Sequence, residues 1–437
     1  MFFHYLDLAW RSFKRTPLVS VLMVMAIGVG IGITMTSLSV YHMASMDPIE
    51  HKSDKLFNVQ LNTMDDGNTW WTEDDLPQQV TYKDAMALYQ AGIPGRKVPS
   101  MKTGFTVHMN SDQVKPFLES TRVTGRDFFT MFDLSFLYGD TWSLEQERSV
   151  APVVVISEEL NDKLFGGENS VGKEIYLDDD TFQIVGVTQK WNIHTKYYDI
   201  NNGAFNSPEN IFMPVTQIAP MELGSWGNSN GWKFEEINTF KDRLNSELFW
   251  MQFWVELDTP EQEAQYRVFL NNYLTEQASM GRFTRKEVAF GLRNVNDWLV
   301  YSGVVSEENR ILVGLSFMFL IVCLANILGL LLGKFLRRAP EIGVRRALGA
   351  SKRDIFIQHL VEVSALGFIG GLLGIGIAQL GLWGVRESYN YYSALATMDV
   401  YMLFAAPFIA ITACIIAGLY PAWLVCRTAP ALYLKTQ

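Results

Sequence analysis

One glycine-rich segment of this 437-residue chain has the spacing of a nucleotide-binding loop. Gly167, Gly172 and Lys173 match the opening of a P-loop, in which backbone N–H groups hold phosphates. The next residue is Glu174, however, where magnesium coordination needs Ser or Thr. Residues 174–177 also have the pattern of a strand, not of the helix whose N-terminus would bind phosphate. We interpret the match as a chance one and expect that this chain does not hydrolyse ATP by itself.

The other side chains that could do chemistry are scattered. Acidic residues cluster at Asp74-Asp75 and at 178–180, but without a convergent partner we interpret them as surface turns. None of the six histidines is paired at i, i+4, so the sequence has no zinc-binding helix. The three cysteines all lie in or at the end of apolar segments: Cys323, Cys414 and Cys426. The sequence therefore predicts no catalytic residue, no metal site and no cofactor bound by this chain.

Four apolar segments are long enough to cross a bilayer, which requires about 20 residues of helix. A buried core helix is usually shorter, and the 24 uncharged residues of the first segment exceed the apolar core of a signal peptide, about 7–15 residues. We predict four transmembrane α-helices, one before and three after a large α/β domain, at residues 18–41, 311–333, 361–385 and 401–426.

The basic residues of the short connections predict the orientation in the membrane. They concentrate in the N-terminal segment (1–17), in the loop after the second helix (334–360) and in the tail (427–437). The positive-inside rule therefore places these three segments and both termini in the cytoplasm. The large block at 42–310 and the short loop at 386–400 are expected outside it.

The outer block has acidic composition and mixed secondary structure. It contains 23 Lys and Arg against 40 Asp and Glu, which argues against nucleic acid as a partner because phosphate contacts need a basic surface. Strand patterns at 56–61, 152–156 and 181–187 and a helical pattern at 157–165 predict an α/β or α+β domain, and we favour α/β.

Two further segments of this block carry predictions. The Gly/Asn/Ser-rich stretch 201–231 is expected to form loops or an inter-subdomain connection. The stretch 262–304 has helical patterning and adjoins the second transmembrane helix. A helix that continued out of the bilayer there would couple the outer domain rigidly to the membrane.

Small residues recur at four-residue spacing in two of the membrane segments, a pattern that lets helix backbones approach closely. We expect these glycines to pack helices within the subunit or across a dimer: Gly28, Gly32, Gly367, Gly370, Gly371 and Gly374. Before the first span, Leu6, Trp10 and Phe13 share one face of a helix with basic residues beside it, which predicts an amphipathic helix on the inner membrane surface.

The loop at 334–360 has the most ordered sequence pattern. Pro340 starts a short helix, Gly349 ends it, and Ser351 caps a second one. A short basic helix of this kind could dock in the groove of a partner protein. Glu362 follows near the inner end of the third span, where water and basic neighbours would make its charge tolerable.

With Glu362, this loop closely resembles the inner loop of the MacB/FtsX-like ABC transporter permeases. The outer block is similar to the periplasmic domain of that family in five segments, in order: 123–129, 153–156, 164–166, 171–173 and 182–187. The resemblance implies a subunit of a dimeric complex in the bacterial inner membrane. In such a complex a cytoplasmic ATPase binds the inner loop, and its cycle moves the outer domains.

The resemblance also implies partners and site residues. MacB itself fuses its ATPase to the permease, whereas this chain begins at the amphipathic helix, so we expect a separate ABC ATPase that holds ATP and magnesium. A second permease, identical or related, would complete the dimer, and membrane lipid, a periplasmic adaptor and an outer-membrane channel are further candidate partners. The coupling surface would consist of Glu341, Arg345, Arg346, Gly349, Ala350 and Asp354. Efflux is the expected function, with FtsX-like control of a periplasmic partner and lipoprotein release as alternatives.

Overall fold

The computed structural model of the protein describes residues 2–72, 75–109, 114–305, 307–388 and 400–427. The chain forms two compact units. We name them the helical unit, Met1–Met46 with Val305–Gln437, and the α/β unit, Asp47–Val304. Three predicted features lie wholly or mostly outside the described residues: Asp74, the loop at 386–400 and the tail at 427–437.

The described residues contain helices of very different lengths. They are α1 (Phe2–Arg15), α2 (Pro17–Ser45), α3 (Tyr82–Gln90), α4 (Phe128–Met131), α5 (Leu144–Arg148), α6 (Glu158–Phe165), α7 (Phe240–Asn245), α8 (Pro260–Ser279), α9 (Val295–Tyr301), α10 (Glu307–Arg337), α11 (Ala339–Ala347), α12 (Lys352–Ser388) and α13 (Val400–Arg427). Four of these helices are long and apolar enough to cross a membrane: α2, α10, α12 and α13. One precedes the α/β unit and three follow it, as predicted.

These four helices are longer than the uncharged runs from which they were predicted. Helix α2 continues to Ser45, and α12 begins at Lys352 and runs for 37 residues without a break. The predicted loop at 334–360 is therefore mostly helical, because α10 ends only at Arg337 and α11 follows at once. Charged residues end the apolar run but not the helix, since long basic side chains can reach water from the bilayer edge.

The α/β unit is built on one mixed sheet of eleven strands. They are β1 (Leu56–Leu61), β2 (Val80–Thr81), β3 (Arg96–His108), β4 (Phe117–Thr124), β5 (Phe136–Gly139), β6 (Val153–Ser157), β7 (Glu174–Leu177), β8 (Asp180–Thr188), β9 (Ile211–Pro214), β10 (Phe249–Glu256) and β11 (Phe290–Asn294). The main path runs β11-β1-β10-β3-β4-β9-β6-β8-β5, with β2 paired to β10 and β7 to β3 and β8. Strand pairs β4–β9 and β6–β8 are parallel, and the others are antiparallel. The α/β class and the strands predicted at 56–61, 152–156 and 181–187 are confirmed.

The stretch 201–231, predicted to form loops or an inter-subdomain connection, also contains a strand. Strand β9 lies there, fully buried, and pairs with β4 on one side and β6 on the other. Its four residues are too few to give a periodic pattern, and prolines stand on both sides of the apolar run. Tertiary pairing, not local sequence, therefore determines this strand.

The stretch 262–304, whose patterning is helical, does not form one continuous helix and is interrupted twice. Helix α8 ends at Ser279, and edge strand β11 then pairs antiparallel with β1. Helix α9 ends at Tyr301 and is followed by Gly303 at φ +75°, before α10 starts at Glu307. The helical periodicity of the first half, which forms α8, led us to extend the helical interpretation over the second half, which contains β11.

The α/β unit has no cysteine and therefore no disulfide. A cluster of buried ion pairs lies inside it. Arg122 on β4 forms ion pairs with Asp199 and Glu209, and Lys196 pairs with Glu209; all four side chains are fully buried. Burial alone would raise the pKa of Glu209, but the charges of Arg122 and Lys196 outweigh burial and hold that pKa well below its usual value. Glu209 therefore remains ionised at neutral pH between these two cations.

The predicted packing glycines lie at helix contacts within the helical unit. A Cβ added to Gly370 or Gly374 would lie 2.5 Å from Ile27 or 2.7 Å from Ile31 of α2, and Gly28 and Gly32 face α12 from the other side. At Gly367 and Gly371 the added Cβ would instead meet the backbone of α13, at 2.9 and 2.8 Å. The two interleaved glycine pairs of α12 thus serve two different neighbouring helices.

We expect Gly367→Ala to lower the free energy of unfolding by about 1–3 kcal/mol, because its new Cβ would overlap backbone atoms that cannot turn away. The measurement is unfolding of the full chain in detergent. Gly376→Ala on the same helix is the matched control, since nothing lies within 4 Å of its added Cβ. Equal stability of the two variants would contradict a packing role for Gly367.

Candidate functional site: the basic loop

The basic loop, residues 334–360, has an ordered backbone for local reasons. Pro340 lies in the first turn of α11, where its missing N–H leaves no hydrogen bond unmade. Gly349 has φ +103° after the end of that helix, a conformation that side chains with a Cβ rarely adopt. The Ser351 hydroxyl then accepts a hydrogen bond from the backbone N–H of Asp354 at 3.1 Å and caps α12.

Two exposed apolar side chains lie at the C-terminal end of α11, one within the helix and one directly after it. Val344 is 49% exposed and Leu348 is 83% exposed, and they are four residues apart, so they form one ridge on the helix surface. The exposed carboxylates of Glu341 and Asp354 belong to the same loop. An apolar ridge with a charged rim is typical of a protein-binding surface. The ridge was missed from the sequence, although two apolar residues at i, i+4 in an otherwise basic loop were the available signal.

The predicted coupling residues divide into two groups. Glu341 accepts a hydrogen bond from Arg345 at 2.7 Å, and this pair is partly exposed together with the surface residues Gly349 and Asp354. Arg346 instead donates to the backbone carbonyl of Cys426 at 3.4 Å, on α13.

The last of the six, Ala350, is half-buried and packs against the apolar core of the helical unit. In this structure Arg346 and Ala350 face the helices. Glu341 and Arg345 are partly exposed but also contact Arg15 of α1 and Gln358 of α12, whereas Gly349 and Asp354 lie on the surface.

A buried carboxylate lies beneath the loop. Glu362 of α12 forms an ion pair with Lys334 of α10 at 2.7 Å, and both side chains are only 1% exposed. Arg338 and His359 lie 3.8 and 3.6 Å from the same carboxylate, and the Ser12 hydroxyl of α1 donates to it. The basic neighbours predicted for Glu362 are present. The predicted contact with water is wrong, because the Glu362 side chain is buried. This cluster links α1, α10 and α12 by charge and hydrogen bonding.

Helix α1 packs against α12 within the helical unit. Its apolar face lines a groove of about 510 Å³ with side chains of α12, including Leu6, Trp10 and Phe13 on one side and Phe368 on the other. Its opposite face carries the basic side chains of Arg11 and Arg15. The amphipathic pattern predicted from the sequence is therefore present, with the apolar face beside the membrane helices.

The glycine-rich segment of the α/β unit continues into a strand. Lys173 is followed directly by β7, as predicted, and not by the helix whose N-terminus would hold phosphate in a P-loop. Asp178, from the acidic run, accepts a hydrogen bond from the Thr106 N–H at 2.8 Å and lies in the turn between β7 and β8.

Comparison with known protein families covers nearly the whole chain. The MacB-like periplasmic core domain matches residues 20–267, more than half of the chain, and the FtsX-like permease C-terminal domain matches residues 313–430. The chain belongs to the MacB/FtsX-like ABC permeases. The family expected from the loop motif is confirmed, and this MacB/FtsX-like protein is a multi-pass bacterial membrane protein of the permease type.

Individual relatives are distant. The macrolide export ATP-binding/permease protein MacB of Vibrio parahaemolyticus is 24% identical over 334 residues, which cover 73% of this permease and 43% of that protein. The uncharacterized ABC transporter permease YvrN of Bacillus subtilis is 24% identical over 315 residues and 69% of each chain. This permease thus spans less than half the length of the MacB proteins that it matches.

Solved structures are also similar to this permease. The periplasmic region of MacB from Actinobacillus actinomycetemcomitans is 14% identical with a TM-score of 0.35, and covers 57% of this permease and 94% of that chain. A domain of a permease protein from Porphyromonas gingivalis is 16% identical with a TM-score of 0.34, and covers 56% of this permease and 91% of that chain.

Proposed function

We propose that this chain is the permease subunit of an ABC complex in which a separate cytoplasmic ATPase, holding ATP and magnesium, binds the basic loop and moves the α/β unit. The observation that carries the proposal is the exposed ridge of Val344 and Leu348 at the C-terminal end of α11. Amphipathic helices commonly bind by placing such a ridge in an apolar groove of a partner. The family membership supports an ABC ATPase as that partner.

The distribution of charge supports the orientation that this function requires. The basic loop and the segment before α2 contain most of the basic residues outside the α/β unit. Such segments stay in the cytoplasm. In this arrangement both termini face the cytoplasm of a bacterial inner membrane, and the acidic α/β unit lies in the periplasm.

Contacts within the helical unit provide a route for transmission. The loop connects α10 to α12, and the Glu362 cluster ties these two helices to each other and to α1. Helix α2 packs on α10, where Thr34 donates a hydrogen bond to the carbonyl of Ser316 at 3.1 Å. Because α2 and α10 are the helices that connect to the α/β unit in the chain, a displacement of the loop would move both connections together.

The relatives' names support export as the purpose of this movement. Several are macrolide exporters that carry their own ATP-binding part. We extend the proposal to a dimer with a second, identical or related permease that moves a substrate out of the periplasm or membrane. A periplasmic adaptor and an outer-membrane channel would complete such a complex, with membrane lipid around the permease.

The test is ATP hydrolysis by the ATPase that copurifies with the tagged full chain. Replacing Glu341 and Arg345 together by alanine is expected to lower the permease-dependent part of the rate about tenfold, the effect of losing about 1.4 kcal/mol of contact. The fold should survive because an exposed i, i+4 pair contributes little stability.

The matched control is the double variant Glu263→Ala with Arg267→Ala. This pair on α8 has the same i, i+4 spacing and a similar distance, 2.8 Å, but lies in the α/β unit. If the loop variant hydrolyses ATP as the control does, the loop is not the coupling element.

A further inference from the structure

A small polar pocket lies between α1 and the basic loop. Its volume is about 120 Å³, and four arginines line it: Arg11, Arg15, Arg338 and Arg345. The imidazole of His359, which is almost fully buried, belongs to the same lining. Among the described residues that line the pocket, Glu341 is the single carboxylate. Four guanidinium groups from α1 and the loop therefore border one small pocket, and like charges repel unless anions compensate them.

The neighbouring carboxylates do not balance these cations. Asp7 pairs with Arg11 at 2.8 Å. One oxygen of Glu341 lies 3.2 Å from Arg15 and the other 2.7 Å from Arg345, so a single carboxylate is shared by two arginines.

Glu362 is shared in the same way, by Lys334 at 2.7 Å and Arg338 at 3.8 Å. Five cationic side chains therefore meet three carboxylates, which leaves an excess of two positive charges around the pocket.

The arginines around the pocket have many N–H donors that these ion pairs do not use. Each guanidinium group has five N–H donors in a planar fork. Arg338 uses one of them on the backbone carbonyl of Ser12 at 3.2 Å, and Arg345 uses one on Gln358 at 3.4 Å. This fork geometry matches two oxygens of a phosphate at once.

The size of the pocket limits the ligand to a small group. Sites for drug-sized molecules are about 300–1,000 Å³. At about 120 Å³ this pocket holds only a group of a few heavy atoms. A phosphate group is small enough for this pocket, and its negative charge of up to about two would neutralise the two excess positive charges.

We propose that this pocket binds a phosphate group. Two sources have this chemistry: the headgroup of an anionic phospholipid and soluble phosphate. The pocket lies on the basic face of α1, whose opposite face is apolar and beside the membrane helices, so a lipid headgroup can reach it from the bilayer surface.

Isothermal titration calorimetry on the purified full chain in neutral detergent tests the site without the ATPase. Inorganic phosphate and dihexanoyl phosphatidic acid are titrated separately, and at least one is expected to bind saturably. Arg15→Gln is expected to weaken that binding about tenfold, as the loss of a charge-assisted hydrogen bond would. The variant should fold because the Arg15 side chain is 67% exposed.

Lys14→Gln is the matched control. It removes the same charge from the neighbouring position of α1, but Lys14 lies over the Trp10 ring and does not line the pocket. Its affinity should stay within about twofold of the wild type, as for an exposed charge outside a site.

At least tenfold tighter binding of phosphatidic acid than of inorganic phosphate would identify a lipid headgroup as the ligand, and a smaller difference would identify soluble phosphate. No saturable binding of either probe, or an equal loss in Lys14→Gln, would overturn the proposal.

Discussion

Replacing Glu362 with leucine is expected to lower the free energy of unfolding by about 3–5 kcal/mol, the cost of leaving a buried charge without its partner. The Lys334 ammonium is 1% exposed and loses the carboxylate oxygen that lies 2.7 Å away. The Ser12 hydroxyl loses its acceptor on α12 at the same time. The measurement is thermal or denaturant unfolding of the full chain in detergent.

A double variant separates the charge effect from packing. Lys334→Met combined with Glu362→Leu removes both members of the pair, and it should recover most of the lost stability because apolar replacements of a buried pair are often neutral. Arg338, the other cation near Glu362, is 17% exposed and can extend to water. If the single variant unfolds like the wild type, or the double variant is no more stable than the single one, the buried pair does not hold these helices together.

The second large effect is expected at the exposed ridge of Val344 and Leu348, for which we propose ATPase binding. Leu348→Asp should weaken binding of the ATPase at least about 30-fold, the equivalent of about 2 kcal/mol for a central apolar anchor. The new carboxylate would have to lose its hydration in an apolar groove, whereas in the free permease it stays in water. Because Leu348 is 83% exposed, the fold of the permease should not change.

Val268→Asp is the control for this substitution. Val268 is also an exposed apolar residue of a helix, 61% exposed on α8, but it belongs to the α/β unit. Its affinity for the ATPase should equal that of the wild type. The comparison distinguishes loss of a specific contact from a general effect of added negative charge.

Local sequence signals were sufficient for the membrane helices and for the backbone of the loop. Uninterrupted apolar runs predicted α2, α10, α12 and α13, because a span must be apolar along its whole length. Pro340, Gly349 and Ser351 predicted where α11 begins and ends and where α12 begins, since helix ends depend on a few neighbouring residues.

Contacts between distant residues were not predictable in this way. Ser12 and Glu362 are 350 positions apart, and nothing near either of them indicates the hydrogen bond. Strand β9 is buried only because β4 and β6 flank it. Among the predicted coupling residues, the sequence could not show that Arg346 and Ala350 face the protein, since helical periodicity over nine residues allows several orientations.

The affinity of the copurified ATPase for the full chain in lipid nanodiscs is the most direct test of the loop's role. The account predicts saturable binding to the wild type and to Val268→Asp, and at least about 30-fold weaker binding to Leu348→Asp. Equal dissociation constants for all three proteins would contradict it, because the ATPase would then bind a surface other than the basic loop.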